Sequence, residues 1–112
     1  MTTITFFQKN DAFCGFSVKG HSGYADEGSD IVCSAISSCT EMIGFGFSDV
    51  LGEKRGSFLV NEKTTEISFM FPDDITEAEN DKCLFLVGMF FRYMNELEDS
   101  YKKYIKIEKR RI

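Results

Sequence analysis

Along this chain apolar and polar residues first alternate, then recur every third or fourth position, and the two periods take turns to the end. Over Thr2–Gln8, Thr3 and Thr5 alternate with Ile4 and Phe6, which predicts a strand. Lys9-Asn10-Asp11 reads as a turn. Ala12–Lys19 alternates again, with Cys14, Phe16 and Val18 on one face and Gly15, Ser17 and Lys19 on the other. These two strands are expected to pair as a hairpin. From Ile31 to Leu51 the period lengthens: Val32, Ile36, Cys39, Ile43, Phe47 and Val50 form the stripe of a helix. Gly44 and Gly46 weaken that helix by about 1 kcal/mol each relative to alanine, and are expected to let another element approach closely.

Gly52 and Gly56 flank the charged turn Glu53-Lys54-Arg55. Two more strands are expected at Ser57–Val60 and Thr64–Phe71, joined by Asn61-Glu62-Lys63, with Ile67, Phe69 and Phe71 pointing one way. Pro72-Asp73-Asp74 ends the second of them. Thr76-Glu77-Ala78-Glu79 is a capping box, in which a Thr hydroxyl and a Glu carboxylate each satisfy a free amide at a helix start. The helix it opens carries Cys83, Val87, Phe90, Met94, Leu97 and Tyr101 at helical spacing. Lys103–Lys109 alternates once more, giving a half-buried last strand. The element order ββαββαβ predicts an α+β fold, a small two-layer sandwich of a sheet and two long amphipathic helices. No linker, repeat or low-complexity stretch divides residues 1–112, which read as a single domain. Strand order does not follow from this pattern.

Composition narrows the class. With 43% apolar and 28% charged residues in 112, the chain has the balance of a globular domain large enough for its own core. No unbroken apolar run approaches the ~20 residues of a spanning helix, and MTTITFFQKN lacks the basic-then-apolar order of a secretion signal. A cytoplasmic protein without a membrane partner is expected. Cys14, Cys33, Cys39 and Cys83 are loosely spaced, and three of them, all but Cys33, fall on apolar faces, so free core thiols are the expectation. One histidine and no CxxC pair leave too few ligands for zinc. No metal and no cofactor are expected. The net charge of −5 is uneven: six basic residues against Glu108 give residues 102–112 a charge of +5, leaving −10 on the rest. An acidic body disfavours direct nucleic-acid binding and suits a basic partner.

The stretch GHSGYADEGSDIVCSAISSC, residues 20–39, holds the chemistry. Asp30 stands where an N-cap belongs, which puts Cys33 in the first helical turn. Unpaired amides and the positive end of the helix dipole there favour thiolate, the nucleophilic form, and offer donors for an oxyanion. His21, the sole histidine, ends the preceding strand, and Gly20, Gly23 and Gly28 punctuate the connection. That connection is long for a strand-to-helix link. An imidazole brought back to a helix-start sulfur is the minimum machinery for covalent acyl transfer. The same residues also permit duller roles: Cys33 as a small buried hydrophobe, His21 as a surface residue, Asp30 as a cap and nothing more.

The motif Gly-His-Ser-x-x-Ala-x-x-Gly-x-Asp-Ile-Val-Cys-Ser-Ala-Ile-Ser, residues 20–37, resembles the signature of the ribosomal-processing cysteine protease family Prp, also called YsxB-like. The resemblance implies a small α+β sandwich that forms homodimers and works as an endopeptidase. The family removes a short N-terminal extension from a large-subunit ribosomal protein. Carried over by position, the nucleophile is Cys33 and the histidine is His21. Asp30 matches the family's aspartate, in a capping or orienting role. The mobile substrate loop comprises Gly20, Ser22, Gly23 and Gly28. Ser22 and Ser34 stand where the family commonly has alanine, a change between small residues. The competing class is a non-catalytic, ribosome-associated module that uses the same loop as a peptide clamp. A redox or metal sensor needs a second reactive thiol near Cys33, and Cys39, six residues along the helix, is awkwardly placed for it.

Overall fold

The computed structural model describes residues 1–20 and 30–112. Seven elements follow in the expected order: β1 (Thr2–Lys9), β2 (Ala12–Lys19), α1 (Ile31–Leu51), β3 (Leu59–Asn61), β4 (Glu66–Met70), α2 (Glu77–Ser100) and β5 (Ile105–Arg111). The strands form one mixed sheet in the order β3-β4-β2-β1-β5. β1 pairs antiparallel with β2 and parallel with β5, and β4 lies antiparallel to both β2 and β3. Each helix is therefore a crossover between two strands of the same direction, α1 from β2 to β3 and α2 from β4 to β5.

The hairpin turn follows from its two residues. Asn10 and Asp11 both take positive φ, 53° and 64°, the tight turn whose twist matches the strands it joins. One irregularity changes the faces. Phe7 pairs with Gly15 and Gln8 with Phe13, so Cys14 is left unmatched in a bulge. Phe13 thereby swings to the helix side, 5.5 Å from the Phe6 ring and 5.1 Å from Phe91. Cys14, expected in the core beside Phe16 and Val18, is only half-buried.

Both helices cover the same face of the sheet. Ile4, Phe6, Phe16, Phe69 and Ile105 meet Val32, Ile36, Ile43 and Phe47 of α1 and Cys83, Val87, Phe90 and Met94 of α2. The helices touch closely where Gly46 faces Leu86; a Cβ there would stand 2.8 Å from Leu86 Cδ1. By length and mean hydropathy, 1.3, α1 passes the test for a membrane-crossing helix, but its apolar stripe is the core of this domain. At the start of α2 both bonds of the capping box form, Thr76 Oγ1 accepting from the Glu79 amide at 3.2 Å and Glu79 Oε1 from the Thr76 amide at 3.0 Å. Arg55 adds a fork onto Glu79 and Asp74, which holds the Glu79 carboxyl down at about 2.

The strand ends differ from the expected ones for local reasons. β3 is three residues long because Phe58 leaves the strand line to enter the core. Its ring sits edge-on to Phe47 and Phe69, each at 6.2 Å between centroids. Thr65, at φ 53°, delays the start of β4. Tyr101 caps α2, and Tyr104 N–H donates to the Tyr101 carbonyl, so β5 begins only at Ile105.

Candidate active site

The start of α1 is built around Asp30, itself buried. Its Oδ1 accepts from the amides of Val32 at 2.9 Å and Cys33 at 3.0 Å, and its carbonyl accepts the Ser34 amide at 3.1 Å. Val32, 1% exposed, pins this first turn into the core. Cys33, one position on, is half-buried and opens on a surface cavity of about 380 Å³. This geometry corrects one expectation. The Val32 and Cys33 amides are not free donors for an oxyanion, because the cap carboxylate already occupies both. That carboxylate also sets a negative charge against the positive end of the helix dipole.

Asp30→Ala should cost about 1 kcal/mol of stability through loss of the cap. Asp30→Asn, which keeps an acceptor, should recover most of it. Chemical denaturation of the three proteins checks this; equal midpoints for Asp30→Ala and the parent would remove the cap from the account.

The cavity at Cys33 draws on four further elements. Thr2 comes from β1, Val18 and Gly20 from the end of β2, Val60 and Asn61 from β3, and Thr65 and Ile67 from the β3–β4 turn and β4. Gly20 is held at φ +91°, with its amide 3.4 Å from the Thr65 carbonyl, and a Cβ there would meet the Met1 carbonyl oxygen at 2.8 Å. The structure therefore brings Gly20 and Cys33 to one cavity. His21 follows Gly20 in sequence, but His21, Ser22, Gly23 and Gly28 lie outside the described residues. Thr2 and the Asn61–Thr65 wall escaped the sequence reading, since only the strand order brings them to the helix start.

Thr2 has a peculiarity. It is 2% exposed, and its Oγ1 has no hydrogen-bond partner among the described residues. The other thiols belong elsewhere. Burial pushes the Cys14, Cys39 and Cys83 thiols up, which disfavours the thiolate form at each. Cys39 lies about 9 Å along the axis from Cys33 at 1.5 Å per residue, beyond disulfide reach. Among the described residues no three His, Cys, Asp or Glu side chains cluster to hold a metal.

A family model described as cysteine protease Prp matches residues 1–106, nearly the whole chain and the entire site. The chain belongs to the cysteine protease Prp family. Solved structures agree on the Prp fold. An essential ribosomal processing protease Prp from S. aureus, holding a covalently linked product peptide, superposes with a TM-score of 0.82 at 16% identity, over 98% of this chain and all of that one. The same S. aureus protease with a substrate peptide gives 0.78 at 14% identity, over 98% and 100%. SMU.848 from Streptococcus mutans gives 0.77 at 18%, over 100% and 96%. No curated protein matches the sequence. As a Prp-family cysteine protease, the protein is a peptide hydrolase.

Proposed function

We propose that this protein is the cytoplasmic endopeptidase that removes a short N-terminal extension from a large-subunit ribosomal protein, with Cys33 as nucleophile and His21 as its acid and base. The observation that carries the reading is the placement of Cys33. Alone among the four cysteines it sits in the first turn of a helix, and the cavity it lines is one that the residue preceding His21 also borders. The S. aureus relatives, ribosomal processing proteases with bound peptide, supply the substrate class.

In this mechanism the Cys33 Sγ attacks the scissile carbonyl and His21 holds the thiol proton. The C–N bond breaks as His21 gives that proton to the leaving amine, leaving a thioester on Cys33. Water, deprotonated by His21, then hydrolyses the thioester and regenerates the thiol. Asp30 holds the helix start in place. The segment containing Ser22, Gly23 and Gly28 is proposed to close over the peptide.

The test is incubation of purified protein with the extended precursor, read by intact mass. Loss of the extension supports the peptidase; an unchanged mass with a stable complex would mean a clamp instead.

A homodimer belongs to the proposal. Its support is an exposed apolar band across the outer sides of α1 and α2: Met42, Phe85, Met89 and Tyr93 are 58, 70, 48 and 49% exposed. Phe85→Glu should convert a dimer into monomer in sedimentation without unfolding it. A parent that sediments as monomer removes the homodimer, and a variant that stays dimeric moves the interface elsewhere.

A further inference from the structure

The cavity at Cys33 does not end there. A second cavity, of about 540 Å³, shares Val18, Ile36, Ser37 and Ile67 with it and continues along α1 past Gly44 to Ser48. The two form one groove. Its floor is sheet, one wall is α1, and the other is the chain from Glu53 to Phe58 that leads into β3. Gly44 lets the Phe58 ring pack directly on α1 and form part of the lining: a Cβ at that position would stand 2.5 Å from Phe58 Cε2, and the Phe58 ring is held by Phe16, Phe47 and Phe69.

The lining changes character along its length. At the Cys33 end lie Thr2 and a further exposed carboxylate, Glu62. The middle is apolar, with Ile36, Phe58 and Ile67. At the far end stand two exposed carboxylates, Glu41 and Glu53. Neither forms an ion pair among the described residues.

We propose that this groove is the specificity subsite for one flank of the scissile bond, taking apolar substrate side chains in its middle and a basic side chain at Glu41 and Glu53. The inference rests on the peptidase reading above and adds what that site selects. Three observations commit the groove to the substrate: it is continuous with the Cys33 cavity, its length suits an extended peptide, and its lining carries exposed carboxylates, Glu41 and Glu53 at the outer end and Glu62 beside Cys33, none in an ion pair among the described residues. From Cys33 to Glu41 and on to Ser48, α1 rises about 12 and 22 Å at 1.5 Å per residue. At about 3.3 Å per extended residue, the basic side chain falls about four to seven positions from the cleaved bond.

The experiment is a charge scan of the precursor's N-terminal segment. Synthetic peptides long enough to fill the groove on both sides carry Lys or Glu at one position at a time. They are cleaved by the parent and by an E41K/E53K variant, and iodoacetamide alkylation of Cys33 is followed in parallel. For the parent, kcat/KM should favour Lys over Glu by about twofold to fivefold, as for exposed ion pairs, at one or two adjacent positions in that window. The E41K/E53K variant should invert the preference at the same positions while alkylating at the parental rate. A flat scan, or a preference that survives the charge swap, overturns the groove and leaves the peptidase standing. Peptides that the parent binds but never cuts overturn both.

Discussion

Cys33→Ala should abolish precursor cleavage, lowering kcat/KM on the order of 10⁴-fold or more. The size of the effect follows from the absence of a substitute. Cys39, the nearest other thiol along the chain, lies about two turns farther along α1, too far to reach the same carbonyl. Cys14 and Cys83 stand on β2 and α2, and burial pushes both thiols up, away from the nucleophilic form. The same substitution should leave the fold nearly untouched. Cys33 is half-buried, its backbone amide keeps its bond to Asp30, and Val32 still anchors the turn. A stability change under about 1 kcal/mol is expected for removing one partly exposed sulfur. Rate and thermal unfolding are to be measured on one preparation, beside Cys39→Ala as a control that retains activity. A Cys33→Ala protein that cleaves within tenfold of the parent would remove this sulfur from the chemistry, whatever its surroundings.

Much of the fold was legible because its signals are local. Helix α1 begins and ends where the stripe from Val32 to Val50 and the Asp30 cap place it, and the Thr76–Glu79 capping box forms both of its bonds. These devices act within one or two turns, so sequence spacing contains them whole. The misread features depend on partners distant in sequence. Cys14 leaves the core because a bulge against Phe7 and Gln8 shifts the register, and no alternation within β2 records that. Ser57–Val60 looked like a strand, yet Phe58 was claimed by aromatic rings from β2, α1 and β4, and a short edge strand remained.

The site divides in the same way. Cys33 and Asp30 were legible from a cap and a helix period. The surrounding walls were not, because Thr2, Val60 and Thr65 reach the cavity only through the order β3-β4-β2-β1-β5. The amides at the helix start were misjudged for a related reason. The residue that marks the helix start, Asp30, is also the one that consumes the donors the start would otherwise offer.

Phe47→Ala should be the most damaging substitution for stability, at about 3–5 kcal/mol. Phe47 is fully buried and stacks on Phe69, with 4.0 Å between ring centroids and 11° between planes. Phe16 and Phe58 flank it, each 6.2 Å away. The space left by the ring is hard to refill. Gly56 packs its backbone against the Phe47 carbonyl, where even a Cβ would stand 2.5 Å away, so α1 and the Gly56 turn are already in contact and cannot close further. Against a total of about 5–15 kcal/mol for an ordinary domain, such a loss is a large share. The unfolding midpoint should fall by more than about 10 °C. Because Phe58 leans on this ring and also lines the groove, a second, separable effect is expected below the new midpoint: KM should rise while alkylation of Cys33 keeps its parental rate. Phe47→Leu, which refills part of the volume, should recover about half of the stability. Urea denaturation of the three proteins decides the matter. A loss below about 1 kcal/mol for Phe47→Ala would mean that the aromatic cluster is not the tightly packed centre that joins α1 to the sheet.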